Sequence, residues 1–122
     1  MPHPRKRILY VDHYPEICEM IRDALTDFEV ATAYTMAGGL ERAKEERFDI
    51  VVIEHYLSDG TGLDLCCHIR DFNQQIPILL CSIYKSITEQ EALAAGAQGL
   101  IKKFPYFVQD LEQSILRLLA PT

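Results

Sequence analysis

The sequence predicts a doubly wound (βα)5 fold, an α/β architecture in which helices cover both faces of a five-stranded parallel sheet. Three observations predict it: five short apolar runs rich in β-branched residues, a helix-like segment after each run, and run starts near positions 8, 30, 50, 78 and 100. This spacing leaves room for one crossover helix between consecutive strands. Parallel strands need such a crossover, so a parallel sheet is favoured.

The five predicted strands are short and apolar. They are RILYVD ending at Asp12, EVATA at Ala33, DIVVIE at Glu54, PILLCS at Ser82 and GLIKK at Lys103. Pro77 opens the fourth run, and proline at the first residue of a strand removes no ladder hydrogen bond.

The segments between the strands are amphipathic, because apolar side chains recur at a period of 3.6 residues. The predicted buried faces are Ile17, Met20, Ile21, Ala24, Leu25 and Phe28 in the first helix, Ala37, Leu40 and Ala43 in the second, Leu63, Cys66, Cys67 and Ile69 in the third, and Leu111, Ile115, Leu118 and Leu119 in the last. We expect these faces to pack against the sheet.

Length and composition limit the class of protein. A chain of 122 residues has room for one domain, which we predict over residues 1–122 with its core at 7–119. Its 48% hydrophobic and 25% charged residues are typical of globular proteins. No apolar stretch reaches the ~18 residues of a membrane span and no signal peptide is evident, so a cytoplasmic protein is expected.

Charge and cysteine placement exclude further classes. The net charge of -6 disfavours nucleic-acid binding. The basic run at 5–7 directly precedes a predicted strand, so a solvated strand edge is favoured over a nucleic-acid-binding patch. The cysteines lie inside apolar runs without a C-x-x-C pair, which favours buried thiols over disulfides or zinc. They are Cys18, Cys66, Cys67 and Cys81.

Polar side chains stand at the ends of four of the five predicted strands. Asp12 with His13, Glu54, Ser82 and Lys103 occupy these positions. In open parallel sheets, ligands bind beyond the carboxyl ends of the strands. The set suits a divalent cation between carboxylates, with a hydroxyl and an ammonium to hold phosphate oxygens.

In their order along the chain, these segments resemble the receiver domain of two-component response regulators. The resemblance extends from Arg7 to about Leu119 and rests on ILYVDH, IVVIEHYLSDGTGLDL, PILLCSI and GAQGLIKKFP. It implies a flavodoxin-like sheet with strand order 2-1-3-4-5. It also implies a role in bacterial phosphorelay signal transduction, as a signalling domain and not as an enzyme.

The resemblance assigns an expected role to each strand-end position. By position it implies an acidic pair at Asp12 and His13, a phosphoacceptor at Glu54, switch residues at Ser82 and Leu100, and a phosphate-binding lysine at Lys103. The implied metal ligands are Asp12, Glu54 and the backbone carbonyl of Tyr56.

Several positions depart from the family pattern. His13 replaces an acid, which removes a hard oxygen ligand and a negative charge, so we expect weak Mg²⁺ binding and no required cofactor. Ile83 stands where a small residue is usual, and Leu100 replaces an aromatic switch residue. Phe104 replaces a proline after the lysine, and Pro105 offers a cis bond one residue later.

Glu54 stands where the family carries an aspartate. Its extra methylene displaces the carboxylate by roughly one C–C bond, and a misplacement of about 1 Å can cost 10²-fold in a tuned reaction. We therefore do not expect Glu54 to accept phosphate. Two interpretations stay open: Glu54 imitates the phosphorylated state and pairs with Lys103, or it is an inert replacement.

The sequence favours a receiver that acts without phosphorylation, as a protein interaction module. Its expected partner is a signalling protein, either a histidine kinase or an output protein, or a second copy of the chain bound through the last helix; no membrane partner is expected. One alternative is a working phosphoacceptor served by a histidine kinase. Another is a small metal-dependent hydrolase, disfavoured because no activated nucleophile or substrate pocket is evident. A stand-alone receiver and a piece of a longer regulator both fit the sequence.

Overall fold

The computed structural model describes residues 4–83 and 86–121, so the ends of the predicted domain, residues 1–3 and 122, lie outside the described residues. Strands and helices alternate along the chain, with one additional short pair of strands. The elements are β1 Arg7–Val11, α1 Pro15–Ala24, β2 Glu29–Ala33, α2 Met36–Glu45, β3 Ile50–Glu54, β4 Tyr56–Leu57, β5 Gly60–Thr61, α3 Gly62–Arg70, β6 Ile78–Ser82, α4 Glu89–Ala94, β7 Gly99–Lys102 and α5 Phe107–Leu119.

The main sheet is parallel, with the strand order β2-β1-β3-β6-β7. The predicted order 2-1-3-4-5 is confirmed, since β6 and β7 are the fourth and fifth predicted strands. The antiparallel pair β4 and β5 lies in the connection from β3 to α3 and was not predicted. Val11 pairs with Ile53, Glu54 with Cys81, and Ser82 with Lys102, so the strands end at one common edge.

Two apolar clusters form the core, because alternate strand residues face opposite sides of the sheet. On one side, Val11 and Ile53 belong to a buried cluster with Leu65 and Ile69 of α3. The cluster on the other side joins Ile8, Tyr10, Ile50 and Val52 of the sheet to Cys18 and Ile21 of α1 and to Leu111 and Ile115 of α5. Helices therefore cover both faces, as predicted.

The buried face of α1 is rotated from the predicted one. Cys18 and Ile21 are fully buried, whereas Met20 is 44% exposed and Ala24 is exposed. Two apolar stripes overlap on α1, and Ile21 belongs to both. One stripe also contains positions 17, 20 and 24, and the other also contains positions 18 and 25. The sheet takes the stripe that contains Cys18 and Leu25, which corrects the prediction for Met20 and Ala24.

Two other helices show the same kind of correction. Ala37 of α2 is exposed. In α3, Leu65 and Cys66 are buried but Cys67 is exposed, because these three neighbours point in different directions around the helix. The prediction of four buried thiols is therefore wrong for Cys67, whereas the other three cysteines are buried and all four are free.

Side-chain caps fix the starts of the helices that follow β2 and β3. The Thr35 side chain accepts a hydrogen bond from Gly38 N, and the Thr61 side chain accepts one from Asp64 N. Asp59, in the turn between β4 and β5, provides a second cap for α2, since its two carboxylate oxygens accept from the backbone N–H groups of residues 36 and 37 at 2.7 and 3.0 Å. The connection after β3 is thus attached to α2.

No helix within residues 4–83 and 86–121 combines the length and apolarity that crossing a membrane requires.

Candidate functional site

A buried ion cluster lies at the carboxyl edge of the sheet. Lys103 Nζ is 2.5 Å from Asp12 Oδ2 and 2.6 Å from Glu54 Oε2. Asp12 directly follows β1, Glu54 ends β3 and Lys103 directly follows β7. The structure thus brings together three of the residues that the sequence placed at strand ends, and each of these side chains is at most 4% exposed.

Burial and pairing act in opposite directions on the protonation of this cluster. Burial raises the pKa of Glu54, and the nearby Lys103 ammonium offsets part of that rise. Burial lowers the pKa of Lys103, but the charge of Glu54 and the hydrogen bonds to both carboxylates outweigh it, so this pKa is raised overall. The ammonium form of Lys103 is therefore stabilised between the two carboxylates.

Both oxygens of Asp12 accept hydrogen bonds from further groups. Tyr10 Oη donates to Oδ2 at 2.8 Å, and the backbone N–H of Tyr14 donates to Oδ1 at 3.1 Å. Tyr10 is fully buried, and burial, followed by nearby groups that include Asp12, raises the pKa of its hydroxyl. The sequence analysis did not identify Tyr10 as a site residue; the available signal was its place two residues before Asp12, on the same face of β1.

His13 contacts the backbone carbonyl that the family resemblance implies as a metal ligand. Its Nδ1 lies 3.2 Å from Tyr56 O, and the Nδ1–H tautomer donates a hydrogen bond there. The His13 ring also packs on the ring of Tyr14, with 4.0 Å between the ring centroids. His13 therefore joins the connections that follow β1 and β3.

These contacts form a poor site for Mg²⁺, which requires near-octahedral oxygen ligation. Asp12 Oδ2 accepts from both Lys103 and Tyr10, and the Tyr56 carbonyl faces His13. Glu54 Oε2 pairs with Lys103. No group of three or more His, Cys, Asp or Glu side chains in the described part of the chain is arranged to hold a metal ion. The residues present do not fit Mg²⁺.

The two switch positions line a cavity of about 680 Å³ beside the start of α4. Ser82 is buried, and its Oγ lies 3.4 Å from Ser86 Oγ. Leu100 is partly buried and packs against the core beneath the cavity. Ile83 and Phe104 also line this space, together with Ile87, Thr88, Glu89 and Lys102.

The peptide bond between Phe104 and Pro105 is cis, and it is the only cis bond in residues 4–83 and 86–121. The cis bond therefore lies one residue after the Lys103–Phe104 bond, as the sequence indicated.

Comparisons with known proteins identify the family. Residues 8–115 match the response regulator receiver domain. Over 116 residues the chain is 31% identical to the probable transcriptional regulatory protein TcrX of Mycobacterium tuberculosis, which covers 93% of this chain and 48% of that protein. It is 32% identical to the response regulator protein PilR of Pseudomonas aeruginosa, over 81% of this chain and 23% of PilR. The chain thus spans about half or less of these relatives.

Solved structures agree in fold. The chemotaxis response regulator CheY4 of Vibrio cholerae superposes with a TM-score of 0.85 at 28% identity, over 93% of this chain and 98% of that one. A CheY-like receiver domain protein from Methanospirillum hungatei JF-1 gives a TM-score of 0.83 at 27% identity, over 93% of both chains. The family match, the relatives and the shared flavodoxin-like fold agree, and the chain belongs to the receiver domain family of the response regulators of two-component signalling.

Proposed function

We propose that this receiver domain acts without phosphorylation, as a protein interaction module in two-component signalling. The observation that carries the proposal is the position of Lys103 Nζ, within 2.6 Å of carboxylate oxygens of both Asp12 and Glu54. In a phosphorylated receiver, the lysine at this position is expected to bind a phosphoryl oxygen. Here its charge is already compensated inside the protein.

The same geometry argues against Glu54 as a phosphoacceptor. Its Oε2 is engaged by the ammonium of Lys103, and its carboxylate is on a longer side chain than that of aspartate. Phosphoryl transfer depends on positioning and on a metal that neutralises the developing charge. The poor fit of the residues around Glu54 to Mg²⁺ and the longer side chain of Glu54 therefore support the proposal that Glu54 does not accept phosphate.

Glu54 also serves, in this proposal, as a partial substitute for a phosphoryl group. It supplies one negative charge and two oxygens at Lys103, whereas a phosphoryl group supplies about -1.5 to -2 charges and three oxygens. The contact of 2.6 Å between Glu54 Oε2 and Lys103 Nζ is what such a substitute needs. The domain is therefore held in one state and does not cycle between two.

The expected partner is a signalling protein, either a histidine kinase or an output protein. The names of the relatives as regulatory proteins support this class of partner. Nucleic-acid binding is not part of the proposal, since the chain carries a net charge of -6.

The experiment that tests the proposal is incubation with acetyl phosphate and Mg²⁺ followed by intact mass measurement. We expect no added phosphoryl mass on the native chain. The Glu54→Gln variant, treated in parallel, identifies any phosphoryl group attached elsewhere. A phosphoryl mass on the native chain that is absent from Glu54→Gln would refute the proposal.

The role of Glu54 as a substitute is tested separately by comparing amide NMR spectra of the native chain and Glu54→Gln. If the charge of Glu54 sets the state, resonances around Ser82, Leu100 and α4 shift as well as those next to position 54. Shifts confined to the immediate neighbours of position 54 support the interpretation of Glu54 as an inert replacement.

A further inference from the structure

Five aromatic side chains are exposed around the ion cluster, at the carboxyl edge of the sheet. They are Tyr14 after β1, Tyr34 after β2, Tyr56 at the start of β4, and Phe104 and Tyr106 after β7, with exposures of 47%, 45%, 44%, 70% and 62%. We call this set the aromatic rim. Single exposed apolar residues are normal, but a set that occupies four connections at one edge marks an interaction surface.

Parts of the aromatic rim are held in place by contacts. Tyr14 and Tyr56 are joined through His13, which packs on the first ring and hydrogen-bonds the backbone of the second residue. The Tyr56 ring also packs edge-on against His55, with 5.0 Å between the centroids. Aromatic side chains held in this way provide large contact areas with little conformational entropy left to lose on binding.

An apolar cavity of about 360 Å³ extends the rim at Phe104, between α1 and the start of α5. Its apolar lining includes Ile17, Met20, Ile83, Pro105 and Val108. The exposure of Met20, which the sequence analysis placed in the core, is part of this surface.

The same edge of the molecule is acidic. Exposed carboxylates occupy the first turns of the helices that start there: Glu16 in α1, Asp64 in α3, Glu89 and Glu91 in α4, and Asp110 in α5. These positions also complement the helix dipoles, but the carboxylates remain exposed to a partner.

Several basic side chains among the described residues lie at the opposite end of the molecule. They occupy the last turns of α2 and α3, at Lys44 and Arg70, and the chain around the start of β1. Lys102 and Lys103 lie at the acidic edge, and Lys103 is buried between two carboxylates. The side chains of Arg22 and Arg42 reach Thr32 near the carboxyl end of β2, and Arg117 lines a cavity with Phe104. The first turns of the helices at this edge, which lie around Tyr14 and Tyr56, therefore carry carboxylates and no lysine or arginine.

We infer that the aromatic rim is the docking surface for an arginine-rich segment of the partner protein. A guanidinium group stacks on the faces of tyrosine and phenylalanine, and it does so more readily than an ammonium group. Its positive charge complements the acidic edge, which favours correct encounter and orientation. Tyrosine and arginine are also the residues enriched where interface energy concentrates.

This inference rests on the proposed function, since it names the surface and the partner chemistry through which the module acts. Exposed rings also stack on nucleic-acid bases, but single-strand binding requires a positive groove for the phosphates. The acidic edge repels phosphates, so a basic protein segment is the occupant that fits.

The chain itself provides a readout, because it has six tyrosines and no tryptophan. Titration with a synthetic peptide of alternating arginine and glycine should quench the tyrosine fluorescence saturably. A matched lysine–glycine peptide should bind about tenfold more weakly, and a glutamate–glycine peptide and an oligothymidylate should not bind. Absence of saturable quenching at millimolar arginine peptide, or equal binding of the glutamate peptide or the oligothymidylate, would overturn the inference.

Variants locate the binding surface, and calorimetry replaces fluorescence because the substitutions remove reporter rings. We expect Tyr14→Ser/Tyr56→Ser to weaken binding of the arginine peptide about tenfold or more. The control Phe72→Ser/Leu116→Ser removes two exposed apolar side chains elsewhere, 42% and 54% exposed, and should leave binding unchanged. Equal weakening in both double variants would contradict the inference.

The two proposals fail separately. A phosphoryl group on Glu54 refutes phosphorylation independence, whereas the peptide titration measures docking regardless of that result. If the native chain gains no phosphoryl group and also does not bind the arginine peptide, only the inferred docking surface is refuted.

Discussion

Lys103 Nζ lies 2.5 Å from Asp12 Oδ2, and the two residues are 91 positions apart in the sequence. The pair connects the ends of β1 and β7, two strands that are separated in the sheet by β3 and β6. Glu54, at the end of β3, is the third member of the same contact. One buried ammonium therefore joins three strand ends.

Replacing Lys103 with methionine tests this connection. Lys103→Met leaves two buried carboxylates without their cation, so the free energy of unfolding should fall by about 3–5 kcal/mol in urea denaturation. The control is Lys102→Met, which removes the neighbouring exposed lysine and should change the stability by no more than about 0.5 kcal/mol. Equal losses in both variants would show that the ion cluster does not contribute specifically.

Mg²⁺ binding should strengthen when carboxylate ligands are introduced at positions 13 and 54. His13→Asp/Glu54→Asp removes the imidazole from the Tyr56 carbonyl, adds a carboxylate and shortens the other one. We expect this variant to bind Mg²⁺ at least about tenfold more tightly than the native chain, because Mg²⁺ prefers oxygen ligands in octahedral geometry. Calorimetric titration measures the change, with the single variants as controls, and an unchanged affinity in the double variant would show that other residues keep Mg²⁺ out.

A surface ion pair should make stability depend on acidic pH. Hydrogen bonds from Arg42 and then Arg7 lower the pKa of Glu46 from 4.5 to about 2. Because the pKa is lower in the folded chain, the stabilisation is present above pH 4.5 and is lost as the pH falls through about 2. The stability difference between the native chain and Glu46→Gln should therefore disappear over this range, and salt should reduce it.

The matched control for this pH dependence is Glu45→Gln, which removes the neighbouring exposed carboxylate at the last residue of α2. A pH-independent difference between the native chain and Glu46→Gln, or the same pH profile for both variants, would contradict the assignment to Glu46.

Gly62 is required by close backbone packing after β3. A Cβ atom at this position would lie 2.8 Å from Glu54 O and 2.9 Å from His55 Cα, so the backbone would have to move. Gly62→Ala should lower the free energy of unfolding by about 1–3 kcal/mol. Gly99→Ala is the control, since its nearest contact is an ordinary 3.6 Å from Leu79 Cδ2, and thermal denaturation of the two variants should separate them clearly. Similar melting temperatures would show that the backbone adjusts at Gly62 without loss.

Cysteine reactivity should distinguish Cys67 from the other three thiols. Cys67 is exposed, whereas burial raises the pKa of Cys18 to about 12 and that of Cys66 to about 11. In the folded chain, dithionitrobenzoate should react rapidly at Cys67 alone, and at all four cysteines after denaturation. Cys67→Ser should remove the rapid reaction and Cys66→Ala should keep it; a rapid reaction that persists in Cys67→Ser would contradict the structure.

The fold was predictable because strand periodicity and strand spacing are local properties of the sequence. The convergence of Asp12, Glu54 and Lys103 followed from the same information, since parallel strands end at one edge. The contacts of Tyr10 with Asp12 and of His13 with Tyr56 were not predicted, because they depend on side-chain rotamers and on the path of a connection. Pattern alone does not determine either.

The wrong predictions of buried helix residues have a different cause. Met20 and Cys67 are apolar by residue type and lie next to buried positions, so a periodic pattern includes them. Which of two overlapping stripes faces the sheet is decided by packing across the whole helix. Met20 is exposed beside an apolar cavity, so its side chain contributes to the surface and not to the core.

The cap that Asp59 provides has a mechanical consequence. Asp59 stabilises the first turn of α2 from a turn that lies 22 and 23 residues further along the chain. A partner that pulls this turn away from the sheet must also remove this second cap from α2, while the Thr35 cap stays in place, and loss of an N-cap costs about 0.5–2 kcal/mol. The connection after Glu54 and helix α2 are therefore mechanically coupled through Asp59. A force that displaces one of them also acts on the other.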